Sequence, residues 1–115
     1  MLNNQKRYTM SIKKFELLKK VSKCNFNVAE TVQVLNSRKT WLMSWGARTF
    51  QNYDNKALIF RVSGRHFKGN VIITLSFDDT YSVTFASTQW NEKERFTNVY
   101  VDQLTELLDC KIERN

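Results

Sequence analysis

The segment KALIFRVSGRHFKGNVIITLSF, residues 56–77, contains two runs of alternating residues that are separated by a short basic loop. The runs are Ala57–Ser63 and Val71–Phe77, and the loop between them carries Gly64 and Gly69. Alternation with period two around a glycine-containing turn is typical of a β-hairpin. We therefore predict two antiparallel strands that are joined by this loop.

Successive side chains of a strand point to opposite faces of its sheet, so the hairpin has one apolar face. This face is predicted to be core and comprises Leu58, Phe60, Val62, Val71, Ile73, Leu75 and Phe77. The opposite face mixes apolar and polar residues, among them Ile59, Arg61, Ile72 and Thr74. We expect this second face to be solvated or to be covered by a partner.

Two more strands are predicted, one on each side of the hairpin. The run Lys39–Asn52 places two tryptophans on one side of an alternating pattern, and Gly46 is expected to mark a bulge or a close approach of the backbone. Tyr81–Ser87 alternates in the same way, whereas residues 89–97 are polar and are predicted to be a connector. Short connections favour antiparallel neighbours, so the four strands predict a meander.

Helical patterns precede the strands. Residues 12–24 carry apolar residues at helical spacing, and they follow Ser11, a residue type that is favoured as an N-cap. Residues 28–37 follow Asn27, and Glu30 completes a capping-box pattern. A strand is the alternative for this second segment, because it is rich in β-branched residues.

A final helix is predicted at residues 99–113, where leucines form an apolar stripe. The fold class is therefore α+β, a four-stranded antiparallel β-meander with two N-terminal helices and one C-terminal helix on one face. The chain has 115 residues, which fits a single domain over residues 1–115. We expect residues 1–9 to form a loosely held tail.

Cys24 and Cys110 lie far apart and match no metal-binding or redox spacing, so both are predicted to be reduced and packed thiols. No apolar run is long enough to span a membrane, and the N-terminus lacks the apolar region of a secretory signal. We expect a cytoplasmic setting, no membrane span, no metal and no other cofactor.

No motif of a catalytic site is present in the sequence. The single histidine, His66, has no acidic neighbour within its loop. Gly64 and Gly69 have the spacing of a phosphate-binding loop, but Asn70 stands in place of its lysine and the segment lies between two strands. We therefore predict that the protein is not an enzyme.

The formal net charge of +7 is distributed unevenly along the chain. Residues 1–24 carry a net charge of +6 and residues 56–77 carry +4, whereas residues 78–115 carry −4. A basic half of a chain suits an anionic partner. The alternative is that the basic and acidic ends pack near each other and neutralise.

We predict nucleic acid as the ligand, because cations bind phosphates and an aromatic ring stacks on bases. The candidate residues lie on the hairpin and the first helix and are Arg61, Arg65, His66, Phe67, Lys68, Lys13, Lys19, Lys20 and Lys23. For Phe67 the structural alternative is that the ring packs beneath its own loop. The rival hypothesis is a protein-interaction module that serves as an inhibitor or an adaptor of a host protein.

The runs Ser44-Trp45-Gly46-Ala47, Lys56–Gly64 and His66-Phe67-Lys68-Gly69 resemble small uncharacterised proteins of phages and mobile elements of gut bacteria. The likeness covers roughly residues 41–87 and brings no established activity. It implies a phage or mobile-element origin and expression inside a bacterial host. Small phage proteins of this kind often bind nucleic acid or a host factor, so the resemblance favours both binding hypotheses equally.

Overall fold

A computed structural model gives the chain an α+β fold with one antiparallel sheet, and it describes residues 2–114, with side chains from residue 12 to residue 113. In chain order the elements are α1 (Leu2–Val21), α2 (Val28–Asn36), α3 (Lys39–Ser44), β1 (Arg48–Tyr53), β2 (Ala57–Ser63), β3 (Lys68–Leu75), β4 (Tyr81–Ala86), β5 (Glu92–Val99) and α4 (Val101–Asp109). A π-helical turn, Cys110–Arg114, continues α4.

The sheet has five strands in the order β1-β2-β3-β4-β5, and neighbouring strands are antiparallel. The predicted hairpin forms its centre, where Leu58 lies opposite Ile73 and Ser63 lies opposite Lys68. The bounds of β2 are those predicted, whereas β3 begins at Lys68 instead of Val71. The loop between the two strands is therefore only four residues long, from Gly64 to Phe67.

One face of the sheet carries the main hydrophobic core, and α2, α3 and α4 cover it; we call it the α4 face. Five of the seven hairpin residues that were predicted as core are buried there: Leu58, Phe60, Val62, Val71 and Ile73. The helices contribute Leu35, Leu42, Leu104 and Leu108. Buried Trp45 donates a hydrogen bond from its indole Nε1 to Asp109 Oδ1 at 2.9 Å, which joins the end of α3 to α4.

The opposite face of the sheet is covered by α1, and we call it the α1 face. Its core includes Leu17, Leu18 and Val21 of the helix, which pack with Ile59 and Ile72 of the hairpin. The prediction that the helices lie on one face is therefore wrong. The mixed face that was expected to meet solvent or a partner is buried, because α1 lies over it.

The prediction of a strand over Lys39–Asn52 is also wrong for its first half. Residues 39–44 form α3, and the strand begins only at Arg48. Gly46 has a φ of +63°, and its N–H donates to Met43 O at 3.1 Å while Ala47 N–H donates to Leu42 O at 3.1 Å. These bonds end the helix as a glycine C-cap does, so Gly46 terminates a helix and does not mark a bulge.

A fifth strand was missed by the prediction of a polar connector over residues 89–97. β5 spans Glu92–Val99, pairs with β4 and forms one edge of the sheet. Most of its side chains are exposed, so it lacks the apolar alternation on which the strand prediction relied. The sheet therefore has five strands and not four.

The remaining helix predictions differ in their bounds. The helix predicted from residue 12 begins at Leu2, so Ser11 lies inside α1 and does not cap it. Asn27 is the N-cap of α2, as predicted, and its Oδ1 accepts from Glu30 N–H at 3.1 Å. The expectation of a loosely held segment over residues 1–9 stays a prediction.

Three residues that were predicted to pack inside are more exposed than expected. Phe77 is 86% exposed, because β3 ends at Leu75 and the chain has already entered the turn to β4. Cys110 is exposed and Cys24 is half-buried, and both are free thiols. The prediction that both thiols are packed is therefore wrong for Cys110.

We expect Leu18→Ala to lower the free energy of unfolding by about 2–5 kcal/mol, the range for a buried leucine. Leu18 is fully buried between α1 and the sheet, so the truncation leaves a cavity there. Chemical denaturation measures the change. The matched control is Ile12→Ala, because Ile12 lies on the same helix but is 41% exposed. Equal losses in the two variants would contradict the packing of α1 on the sheet.

Candidate nucleic-acid interface

The loop of the predicted hairpin is held against the C-terminal turn. The His66 N–H donates to Ile112 O at 2.8 Å, and the Arg65 N–H donates to Glu113 Oε1 at 3.3 Å. Gly64 permits this approach, because a Cβ atom there would lie 2.3 Å from Ile112 Cγ2. The backbone of the loop is thus tied to the end of α4, while the side chains of Arg65 and His66 are exposed.

Phe67 does not project from the loop into solvent. Its ring is half-buried, packs against the main core and meets Phe85 edge to face at a centroid distance of 5.2 Å. This agrees with the alternative prediction for Phe67, in which the ring packs inward and does not face a ligand. The ring packs with the core, so little of it is left for base stacking.

The lysines that were predicted on the first helix lie on the outside of α1. Lys13, Lys19 and Lys23 are exposed, the last just beyond the end of the helix. Lys20 is also exposed, but its Nζ lies 3.6 Å from Glu92 Oε1 on the edge strand β5. Three of the four predicted lysines therefore form no ion pair with the side chains that the structure describes.

The structure divides the predicted site between the two faces of the sheet. The register pairs Arg61 with Asn70 and Ser63 with Lys68, and strand alternation places all four on the α1 face. The backbone of the loop itself is held by the C-terminal turn on the α4 side. Arg61 and Lys68 thus share a side with the lysines of α1, and Phe67 does not.

Strand register and the lining of one cleft place four cations on the α1 face of β1, β2 and β3, and we call them the basic corner. They are Lys14, Arg48, Arg61 and Lys68. Arg48 lies directly opposite Arg61 in the register of β1 and β2. Lys14 reaches the same place from α1, where its Nζ donates to Gln51 Oε1 at 2.8 Å. Like charges opposite each other in a sheet are destabilising, so this clustering costs folding free energy.

No carboxylate compensates the basic corner within the part of the chain that the structure describes. The ion pairs found there join Lys20 and Arg95 to Glu92, Lys56 to Asp54, and Lys111 to Glu94. Arg48 Nη1 donates to a backbone oxygen, Gly46 O, at 2.9 Å. The corner is therefore a local excess of positive charge.

The environment of Lys14 lowers the pKa of its ammonium group below the ordinary value. Partial burial is the larger cause, because it disfavours the charged form, and the positive charge of Arg61 is the second. The folded protein thus holds this proton less tightly than the unfolded chain does. The contribution of Lys14 to stability accordingly increases as the pH rises from its folded pKa to its unfolded pKa.

The acidic residues of the C-terminal helix and of the turn that follows it lie on the other side of the sheet. Asp102, Glu106 and Asp109 belong to α4, and Glu113 belongs to the turn that follows it. Because α1 and α4 cover opposite faces, the basic helix and the acidic helix do not pack together. The single described ion pair between α1 and the acidic segment is that of Lys20 with Glu92.

Sequence reasoning missed Lys14, Arg48 and Trp90. The available signal for Lys14 was its position, because residues 14, 17, 18 and 21 share one face of a helix and the other three are apolar. A lysine on the buried stripe of a helix indicates a special environment. Arg48 and Trp90 had no comparable local signal, because Arg48 meets Arg61 through strand register and Trp90 meets Lys14 through the turn between β4 and β5.

Comparison with known proteins found no matching family model, no matching curated protein and no matching solved structure. Among residues 2–114, no helix combines the length and the apolar character needed to cross a membrane. The described side chains also bring together no group of three His, Cys, Asp or Glu residues that could hold a metal ion. The geometry of the charged groups is therefore the basis for a functional proposal.

We expect Arg61→Gln to raise the pKa of Lys14, because the substitution removes the nearby like charge. An NMR titration of the Lys14 side-chain ammonium measures the change. Arg65→Gln is the matched control, since it removes the same type of charge from the exposed loop. An equal pKa of Lys14 in the wild type and in Arg61→Gln would contradict the proximity of the two cations.

Proposed function

We propose that the protein is a non-catalytic nucleic-acid-binding protein that contacts phosphates through its α1 side. The basic corner is the observation that carries this proposal, because four clustered cations lack a carboxylate partner among the described residues. Lys13, Lys19 and Lys23 extend the same positive surface along the outside of α1. A phosphate backbone supplies the missing negative charge along the length of such a surface.

The separation of charge across the sheet supports the same proposal. The acidic helix α4 lies behind the sheet, so its carboxylates do not occupy the cations of the α1 side. A surface with one sign of charge attracts an oppositely charged polymer and orients its approach. The acidic side would correspondingly face away from the nucleic acid.

This proposal modifies the role of the hairpin loop. Arg65 and His66 are exposed, but the backbone of their loop is held by the C-terminal turn on the α4 side, so they are not part of the basic corner. Phe67 is packed in the core, so the proposed contacts are electrostatic and do not include base stacking on its ring. We therefore expect binding with little preference for base sequence and with a strong dependence on salt.

The double variant Arg48→Gln, Lys68→Gln tests the role of the basic corner. We expect weaker binding to a labelled DNA duplex, and a plot of log K against log salt whose slope is smaller by about 2. The physical reason is that two phosphate contacts, and the counterions they release, are lost. Fluorescence anisotropy titrations between about 50 and 200 mM salt measure both quantities.

The matched control is Lys39→Gln, Lys56→Gln, which removes the same charge from other sites. Lys39 is exposed on α3, and Lys56 lies in the turn between β1 and β2 near Asp54. This control should keep nearly the wild-type salt dependence. The proposal fails if the wild type does not bind nucleic acid at low salt, or if both double variants lose the same slope.

Interaction with another protein is the second candidate function, and an exposed apolar group at the far end of the sheet favours it. Phe77 is 86% exposed in the turn between β3 and β4. The register pairs Tyr81 with Val99, so the exposed Tyr100 follows close to that turn. Exposed aromatic residues of this kind are enriched where proteins meet.

Phe77→Ser is the corresponding test, because the side chain is exposed and its loss should leave the fold intact. Under the second candidate function, a protein captured from nuclease-treated lysate by the wild type is lost with the variant. Capture of the same proteins by both chains would contradict a role for this end of the sheet. The phage origin and the cytoplasmic location stay predictions from the resemblance and the composition.

A further inference from the structure

A small cleft lies between α1 and the sheet at the basic corner. It has a volume of about 180 Å³ and is lined by Lys14, Thr49, Gln51, Ile59, Phe60, Arg61, Asn70 and Trp90. Two of these residues are cationic, three offer amide or hydroxyl groups, and none is acidic. The cleft therefore has the size and the charge for a small oxyanion.

The ammonium group of Lys14 is held in place at this cleft. Its Nζ donates to Gln51 Oε1 at 2.8 Å and lies 5.2 Å from the centroid of the Trp90 ring. Attraction to the ring face and the hydrogen bond restrict a side chain that is otherwise flexible. A cation that is positioned before the ligand arrives loses less conformational freedom on binding.

The turn that carries Trp90 is braced by several hydrogen bonds. Trp90 has a φ of +67°, a conformation that is costly for a bulky residue. The Trp90 N–H donates to Ser87 O at 2.9 Å, and buried Asn70 donates from Nδ2 to the same oxygen at 3.0 Å. Asn70 thus fixes the turn that places the indole beside Lys14. Conformations of this kind are often retained at binding sites.

Arg61 supplies the second charge of the cleft. It is half-buried, has no acidic partner among the described side chains and lies near enough to Lys14 to lower the pKa of that ammonium. Two positive charges in one cleft are matched best by one group that carries two negative charges. A phosphate monoester carries a charge of about −1.5 to −2 at neutral pH, whereas a phosphodiester carries a single charge.

We propose that this cleft is a binding site for a phosphate monoester, which Lys14 and Arg61 hold between them. The arginine guanidinium offers planar donors that suit phosphate oxygens, and the lysine adds a point charge. The bound group belongs to the phosphorylated end of a nucleic-acid strand or to a free nucleotide. The site stands on the geometry of the cleft and does not depend on the proposed nucleic-acid binding.

NMR titrations of the full chain with thymidine 5′-monophosphate, inorganic phosphate, thymidine and an unphosphorylated thymidine dinucleotide test this site. We expect the Trp90 indole and Lys14 ammonium signals to shift with the first two ligands. Thymidine should have no effect, and the dinucleotide, which has only a diester, should bind more weakly. No shift with the monophosphate, or equal affinity for the diester, would overturn the proposal.

Two variants assign the cations, and a third serves as the control. Lys14→Gln and Arg61→Gln should each weaken monophosphate binding by about tenfold or more, as expected for the loss of a charge-assisted hydrogen bond. Lys39→Gln should keep wild-type affinity, since Lys39 is exposed on α3, which covers the opposite face of the sheet. Equal affinity in all four proteins would overturn the site, and their thermal unfolding profiles show whether each is folded.

A final comparison identifies the source of the phosphate. Tighter binding of a 5′-phosphorylated oligothymidylate than of both the mononucleotide and the unphosphorylated oligothymidylate would support the site and assign it to strand ends. Equal affinity for the phosphorylated oligothymidylate and the mononucleotide would support the site and assign it to free nucleotides. Equal monophosphate binding by the wild type, Lys14→Gln and Arg61→Gln would overturn this site, and the proposed function would still stand if the wild type bound long nucleic acid. Binding of the monophosphate without binding of long nucleic acid would overturn the proposed function and leave this site intact.

Discussion

The packing of α1 against the second face of the sheet is the constraint on which the other features depend. Leu17, Leu18 and Val21 cover Ile59 and Ile72, so the sheet becomes the middle layer of three. This places the lysines of α1 on one side of the sheet and the carboxylates of α4 on the other. It also brings Lys14 close to Arg61, and both side chains line the cleft at the basic corner. Without this packing, the basic and acidic residues would be separated along the sequence but would not lie on opposite sides of the molecule.

Much of the sheet could be predicted, because strand alternation and short turns are local properties of the sequence. The hairpin, the cap at Asn27 and the buried side of β2 follow from such patterns. The position of α1 could not be predicted in this way. Thr74 lies on the face that was expected to meet solvent or a partner, yet it is buried on the side that α1 covers. A threonine suits either environment, so only the packing of a distant element decides between them.

Two other predictions, of the first strand and of a connector in place of β5, were wrong because of the local sequence. Trp41 and Trp45 are four residues apart, a spacing that fits both a strand with period two and one turn of a helix. Gly46 ends a helix because it adopts a positive φ, as a glycine C-cap does. The sequence alone does not show this conformation, so the glycine could not be recognised as a helix end. β5 lies at an edge, where one side of a strand meets solvent and apolar alternation is weak. The candidate site also differs from the one predicted from the sequence. Arg48 and Arg61 are distant in the sequence and become neighbours only through strand register.

An NMR titration of the labelled chain with a short nucleic acid tests the proposal that the α1 side of the sheet is the binding side. The largest changes in amide signals should occur in α1 and at the basic corner. The amides of α4 should remain unaffected, because that helix lies behind the sheet. Large changes in α4 together with an unchanged α1 would overturn the proposal.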